Sequence, residues 1–136
     1  MDRNVGLWID HKQAFVISQA DGRIEVIPSH LEPPAHYSGG TRFGGKLNSK
    51  ADQELRHNDR IRLQLNKYYQ QVINAIKDAK SILLMGPGEA KVEFQKVIQK
   101  HKAMQKRLLK VETAAKMTKN QMLAHVEKFY KSQKKV

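Results

Sequence analysis

A chain of 136 residues with 40% hydrophobic residues and no cysteine is long enough for one core burying roughly two thirds of its unfolded surface, and it excludes disulfides, thiol nucleophiles and cysteine-based zinc sites. No stretch approaches the roughly eighteen apolar residues of a membrane span, and Asp10 interrupts the first apolar run before signal-peptide length, so a single soluble, cytoplasmic domain over residues 1–136 is expected. The formal charge of +12 is uneven, because residues 1–49 hold five Lys/Arg against five Asp/Glu and the remainder holds twenty against eight; such a field draws polyanions through counterion release.

VGLWI (5–9), AFVIS (14–18) and RIEVI (23–27) are short β-branched or aromatic runs separated by the turn-like DHKQ and ADG, which predicts a three-stranded antiparallel meander. Pro28, Pro33, Pro34 and four glycines then make residues 28–49 a connection without regular structure, longer than a compact domain carries without a functional reason. Its second half, HYSGGTRFGGKLNSK (36–50), sets those glycines among Arg42, Lys46 and Lys50.

From Ser49, a fair N-cap, to about Ala79 neither glycine nor proline occurs, and Ile61, Leu65, Tyr68, Tyr69, Val72 and Ile76 recur at helical spacing, which predicts a long helix docked by one face. Arg56, Arg60 and Lys67 fall on the opposite side of the helical wheel. SILLMG (81–86), a continuous apolar run ending in Gly-Pro-Gly, has the pattern of a strand buried on both sides. A helix follows with Ala90, Phe94, Val97, Ile98 and His101 on its inner face and Lys96 and Lys100 pointing away; His101 is expected to be a packed residue near its C-terminus. RLLKVET (107–113) reads as another strand. Thr118 with Gln121 forms a capping-box signature for a last helix that turns Met122, Val126, Phe129 and Tyr130 inward and Lys128, Lys131 and Lys135 outward. The order β-β-β-α-β-α-β-α predicts an α/β fold, a ribonuclease H-like mixed sheet of about five strands with flanking helices.

Catalytic patterns are incomplete. A two-metal nuclease needs several converging carboxylates, but the central strand ends in MGPG without an acid, and Asp10, Glu54, Glu112 and Glu127 do not complete a set. Asp10 is better suited to shaping the DHKQ turn, since Asp side chains bond nearby backbone donors. Gly40–Leu47 has the spacing of a phosphate-binding loop, yet Leu47 stands where the magnesium-binding hydroxyl belongs and no strand directly precedes it. GPGEAK (86–91) joins strand to helix and reads as a tight structural turn, because Glu89 opposes an anion in the first helical turn. The six histidines show no metal-ligand spacing and no serine-elbow motif occurs. No cofactor or metal site is expected.

Taken in order, GLWIDHKQAFV, SGGTRF, KYYQQVINAI, ILLMGPGEAK and VETAAKMTKNQ resemble the middle domain of the archaeal and eukaryotic peptide-chain release factor and of its relative Pelota, especially compact bacterial homologues. The resemblance implies a ribonuclease H-like sheet without the nuclease site. In release factors a Gly-Gly-Gln at a loop tip helps water attack the peptidyl-tRNA ester; the matching place here is Gly39-Gly40-Thr41, followed by Arg42 and Phe43, which match the family's Arg-Phe. Without the glutamine, and with the spacing to Arg-Phe shortened, peptide release by the family's mechanism is not expected, as for Pelota, which resembles a rescue factor rather than a releasing one.

Two adjacent glycines let backbone approach a crowded RNA surface, with Arg42, Lys46 and Lys50 near phosphates and His36, Tyr37 and Phe43 as stacking rings. The reading that follows is a translation-associated protein that binds the ribosome or structured RNA through Gly39, Gly40, Thr41, Arg42, Phe43, Lys46, Lys50, Arg56, Arg60 and Lys67. It expects the cations to gather into one patch beside the glycine loop. Two other readings stay open: an atypical peptidyl-tRNA hydrolase or metal-dependent ribonuclease near Thr41 or Asp10, and a protein–protein interaction module that self-associates through a sheet edge or the Tyr- and Met-bearing helix faces.

Overall fold

The computed structural model describes residues 3–31 and 49–133, with side chains in the first helix described from Asn58 onward. Strands β1 (Asn4–Ile9), β2 (Gln13–Ser18), β3 (Ile24–Pro28), β4 (Ser81–Gly86) and β5 (Leu108–Thr113) form one sheet in the order β3-β2-β1-β4-β5. β2 pairs antiparallel with β1 and β3, whereas β4 runs parallel to both β1 and β5. The helices are α1 (Ser49–Ile76), α2 (Ala90–Gln99), α3 (Lys102–Gln105) and α4 (Lys119–Gln133). This is the mixed five-stranded, ribonuclease H-like arrangement that the order of sequence patterns predicts.

Alternation along the strands divides the core in two. Val5, Leu7, Ile9, Ile82 and Leu84 face a cluster completed by Tyr68, Tyr69, Val72 and Ile76 of α1 and by Phe94 and Ile98 of α2. Trp8, Phe15, Ile17, Leu83 and Met85 face the other way, against Met122, Val126 and Tyr130 of α4. All six residues of β4 are buried, because one face meets each cluster and its edges meet β1 and β5. Polar tips in this core reach backbone acceptors. The Trp8 indole N–H donates to the carbonyls of Ala114 and Ala115 at 3.2 and 3.3 Å, and the Tyr130 hydroxyl donates to the Val5 carbonyl at 2.7 Å, which removes the penalty of burying them unpaired.

The capping box forms as the sequence predicts: the Thr118 amide donates to Gln121 Oε1 at 3.0 Å, and the Gln121 amide donates to Thr118 Oγ1 at 3.1 Å. Edge strand β5 slips register against β4 between Ile82 and Leu83, so that Leu109 has no partner. A bulge beside the outward Lys110 is a common protection of an exposed sheet edge.

Two local readings need correction. α3 is a single turn with too little periodicity to be seen in sequence. His101 is not packed: α2 ends at Gln99, and His101 is exposed at the N-cap of α3 in extended conformation, φ −107° and ψ 90°. Once the chain leaves helical geometry there, the 100° phase that placed His101 on the inner face no longer applies.

Glycine is required where β4 ends. Gly86 has φ +157°, and a Cβ there would collide with the Ile9 carbonyl oxygen of the neighbouring strand. Gly88, two residues on, has φ +68° but nothing within 4 Å of its Cβ position. Gly86→Ala should therefore lower stability in urea unfolding by about 3 kcal/mol, whereas Gly88→Ala should lower it by only about 1 kcal/mol.

Candidate RNA-binding surface

α1 carries the candidate surface, and its docking explains its orientation. Tyr68, Tyr69, Val72, Ile73 and Ile76 are buried on one stripe. The Tyr68 hydroxyl donates to the Asp10 carbonyl at 2.9 Å, just beyond the end of β1. At the far end, Arg3, just before β1, bonds the Ala75 carbonyl at 3.3 Å and the Asp78 carboxylate at 2.7 Å. α1 therefore runs back along the sheet, and its residues 49–67, about 28 Å of helix by rise, precede the contact with the end of β1.

Arg60 and Lys67 are exposed, opposite the buried stripe, as the helical wheel predicts. Leu63 stands with them at 61% exposure. Lys50 and Arg56 belong to the same helix, but their side chains lie outside the described residues, as does that of Glu54. Gly39, Gly40, Thr41, Arg42, Phe43 and Lys46 of the predicted loop, with His36 and Tyr37, also lie outside the described residues, as does Lys135.

The described cations do not gather into one patch. Lys96 and Lys100 are exposed on α2, which packs on the same side of the sheet as α1, whereas Lys128 and Lys131 are exposed on α4, on the opposite side. The physical reason is the two-layer covering of the sheet: each helix turns its own polar face outward, so a basic composition spreads over both sides.

Beyond the ends of β1 and β4, the groups singled out for chemistry are engaged in structure. Asp10 Oδ1 accepts the amides of Lys12 and Gln13, each at 2.8 Å, the turn-forming role its position predicts. In the GPGEAK turn the buried Lys91 ammonium donates to the Gly88 carbonyl at 2.8 Å, which closes the turn from within. Among the described residues no three His, Asp or Glu side chains converge as a metal site.

Among the described residues two histidine–carboxylate pairs are present that no sequence spacing announces. His11 Nε2 lies 3.1 Å from Glu93 Oε1, which also accepts the Tyr69 hydroxyl at 2.7 Å. Burial, with that hydrogen bond and the charge of Glu93, raises the Tyr69 phenol far above its ordinary range, and burial beside Asp10 does the same for Tyr68; both remain donors at any physiological pH. On the other side of the sheet His125 Nε2 lies 2.8 Å from Glu112 Oε1, with Lys110 Nζ 3.4 Å from Oε2. Burial alone would raise the Glu112 carboxyl, but hydrogen bonds from His125 and Lys110, with their charges, hold it below the usual carboxylate range.

No protein-family model matches the sequence, and no curated protein matches it. Among solved structures the chain is similar to the Pelota protein of Thermoplasma acidophilum, at 19% identity over 84% of this chain and 28% of that one, with a TM-score of 0.45. It is also similar to an archaeal translation termination factor, aRF1, at 17% identity over 97% of this chain and 40% of that one, with a TM-score of 0.49. The chain thus spans less than half the length of either. These are the two kinds of factor that the ordered motifs resemble.

The Glu112 pair has a measurable pH signature. A carboxyl held below its unfolded value contributes stability that is present above that value, near pH 4.3, and is lost as pH falls through the folded one. The wild-type protein should exceed Glu112→Gln in stability by about 1 kcal/mol at neutral pH, and the gap should close below about pH 4, as read by urea unfolding across a pH series.

Proposed function

We propose that this protein is a translation-associated domain that binds the ribosome or another structured RNA, without peptide-release chemistry of its own. The observation that carries the reading is the charge asymmetry: the whole net charge of +12 comes from residues 50–136, and Arg60 and Lys67 are exposed on the outer face of α1. The glycine-containing segment with Arg42 and Lys46 immediately precedes α1, whose first turn holds Lys50, and in the proposed interface these cations act with those of the helix. Phosphate contacts of this kind supply affinity and position, and rings such as Phe43 and Tyr37 suit stacking on unpaired bases. The ordered family motifs give the ribosome as the first RNA to test.

Chemistry is left out of the proposal because Thr41 stands at the position of the releasing glutamine in the resembling family, and because the described Asp10 carboxylate is occupied by two turn amides.

Ribosome co-sedimentation over a salt series tests the reading. If about six phosphates are neutralised, the logarithm of affinity should fall with that of salt at a slope of about −4 to −5, and Arg42→Ala or Lys67→Ala should each flatten the slope by about 1. A salt-independent signal, or no binding at low salt, would remove the proposal. In a peptidyl-tRNA assay the protein should release no peptide above the rate without it; turnover abolished by Thr41→Ala would restore the enzymatic alternative.

A further inference from the structure

A groove of about 400 Å³ runs between α1 and α2. Its floor is aliphatic: Ile61 and Leu65, one helical turn apart on α1, and Val97 on α2, all half-buried. Its rim is cationic, with Arg62 on one wall and Lys96 and Lys100, again one turn apart, on the other, all exposed. Neither Lys96 nor Lys100 meets a carboxylate among the described residues. Arg62 has only a 3.9 Å contact with Asp59, both side chains at least 70% exposed, the kind of pair worth little in water. The one acid lining the groove, Glu93, is already engaged by His11 and Tyr69.

These features select among ligands. A nucleic acid satisfies cations through phosphates but gains most from rings on which bases stack; the one ring lining the groove, Tyr69, is 3% exposed with its hydroxyl bound to Glu93, so the accessible floor is branched aliphatic instead. An amphipathic helix places apolar residues one turn apart on an apolar floor and its flanking charges on the rim, and charge complementarity requires those flanks to be acidic. We propose that the α1/α2 groove docks an acidic amphipathic helix of a partner protein, its apolar stripe on Ile61, Leu65 and Val97 and its carboxylates against Arg62, Lys96 and Lys100. This does not depend on the RNA-binding reading, which rests on the outer face of α1 and the preceding loop.

The test uses the full chain and a fluorescein-labelled synthetic peptide of about fourteen residues, roughly four helical turns, with a leucine stripe at helical spacing and glutamates on its flanks. A scrambled peptide of the same composition and a hairpin RNA serve as the other probes. By fluorescence anisotropy the amphipathic peptide should bind at least about tenfold more tightly than the scramble, and amide NMR changes should centre on Ile61, Leu65 and Val97. Ile61→Asp and the double variant Lys96→Glu/Lys100→Glu should each weaken binding about tenfold or more. Both should keep the wild-type circular dichroism, since Ile61 is outside the core cluster and the lysines are exposed; if Ile61→Asp unfolds, the lysine pair carries the test.

Equal binding of the two peptides, no binding of the amphipathic one, or unaltered binding by the folded variants overturns the proposal. So does hairpin RNA that occupies the groove residues more tightly than the peptide, or a dimer of the chain whose interface maps to them.

Discussion

Strand β4 offers no polar side: each of its six residues is buried, with Ile82 and Leu84 turned to one cluster and Leu83 and Met85 to the other. A strand of this kind is stable only if both sheet faces are covered, so the chain must supply helices on two sides, α1 and α2 on one and α4 on the other. Close approach follows from the same demand. Gly6 lies under Val126, where a Cβ would collide with the valine methyl groups, and Gly86 passes the Ile9 carbonyl where no other residue fits. The polar tips of Trp8, Tyr68 and Tyr130 then have to end on backbone carbonyls, and each does.

With both faces closed, the outward sides of the helices are the main surface left for recognition. About 28 Å of α1 precedes Tyr68, and within that stretch Leu65 packs against the core. The helix therefore offers two candidate surfaces on two sides. The side away from the core presents Arg60, Leu63 and Lys67, and the flank beside α2 presents Ile61 and Leu65 to the groove.

What was legible in the sequence was whatever depends on local periodicity or on turn chemistry. β-branched and aromatic runs bounded by turn residues located β1, β2 and β3, the apolar run located β4, and helical spacing found the buried stripe of α1. Thr118 with Gln121 marked the start of α4, and Asp10 marked the first turn. What stayed hidden arises where distant segments meet. His11 and Glu93 are 82 residues apart, and nothing in either neighbourhood signals the other. The groove is invisible for the same reason: Ile61, Leu65 and Val97 read as ordinary inner-face residues until the relative placement of α1 and α2 shows them left half-covered. The spread of cations over both sides was missed because net charge carries no direction, whereas the two-sided covering of β4 distributes it.

Whether the outer face of α1 and its groove flank can be used at once is a question of distance and screening. A helix with its side chains is about 10–12 Å across, and the Debye length at physiological salt is about 8 Å. Polyanion bound on the outer face is thus separated from a peptide in the groove by more than one screening length, and repulsion between them is largely quenched. At low salt the screening length grows to tens of ångströms, and the two ligands then compete through their fields without sharing a contact. On the two proposed readings, the same helix would therefore hold an RNA and an acidic partner together at physiological salt, yet set them against each other in dilute buffer.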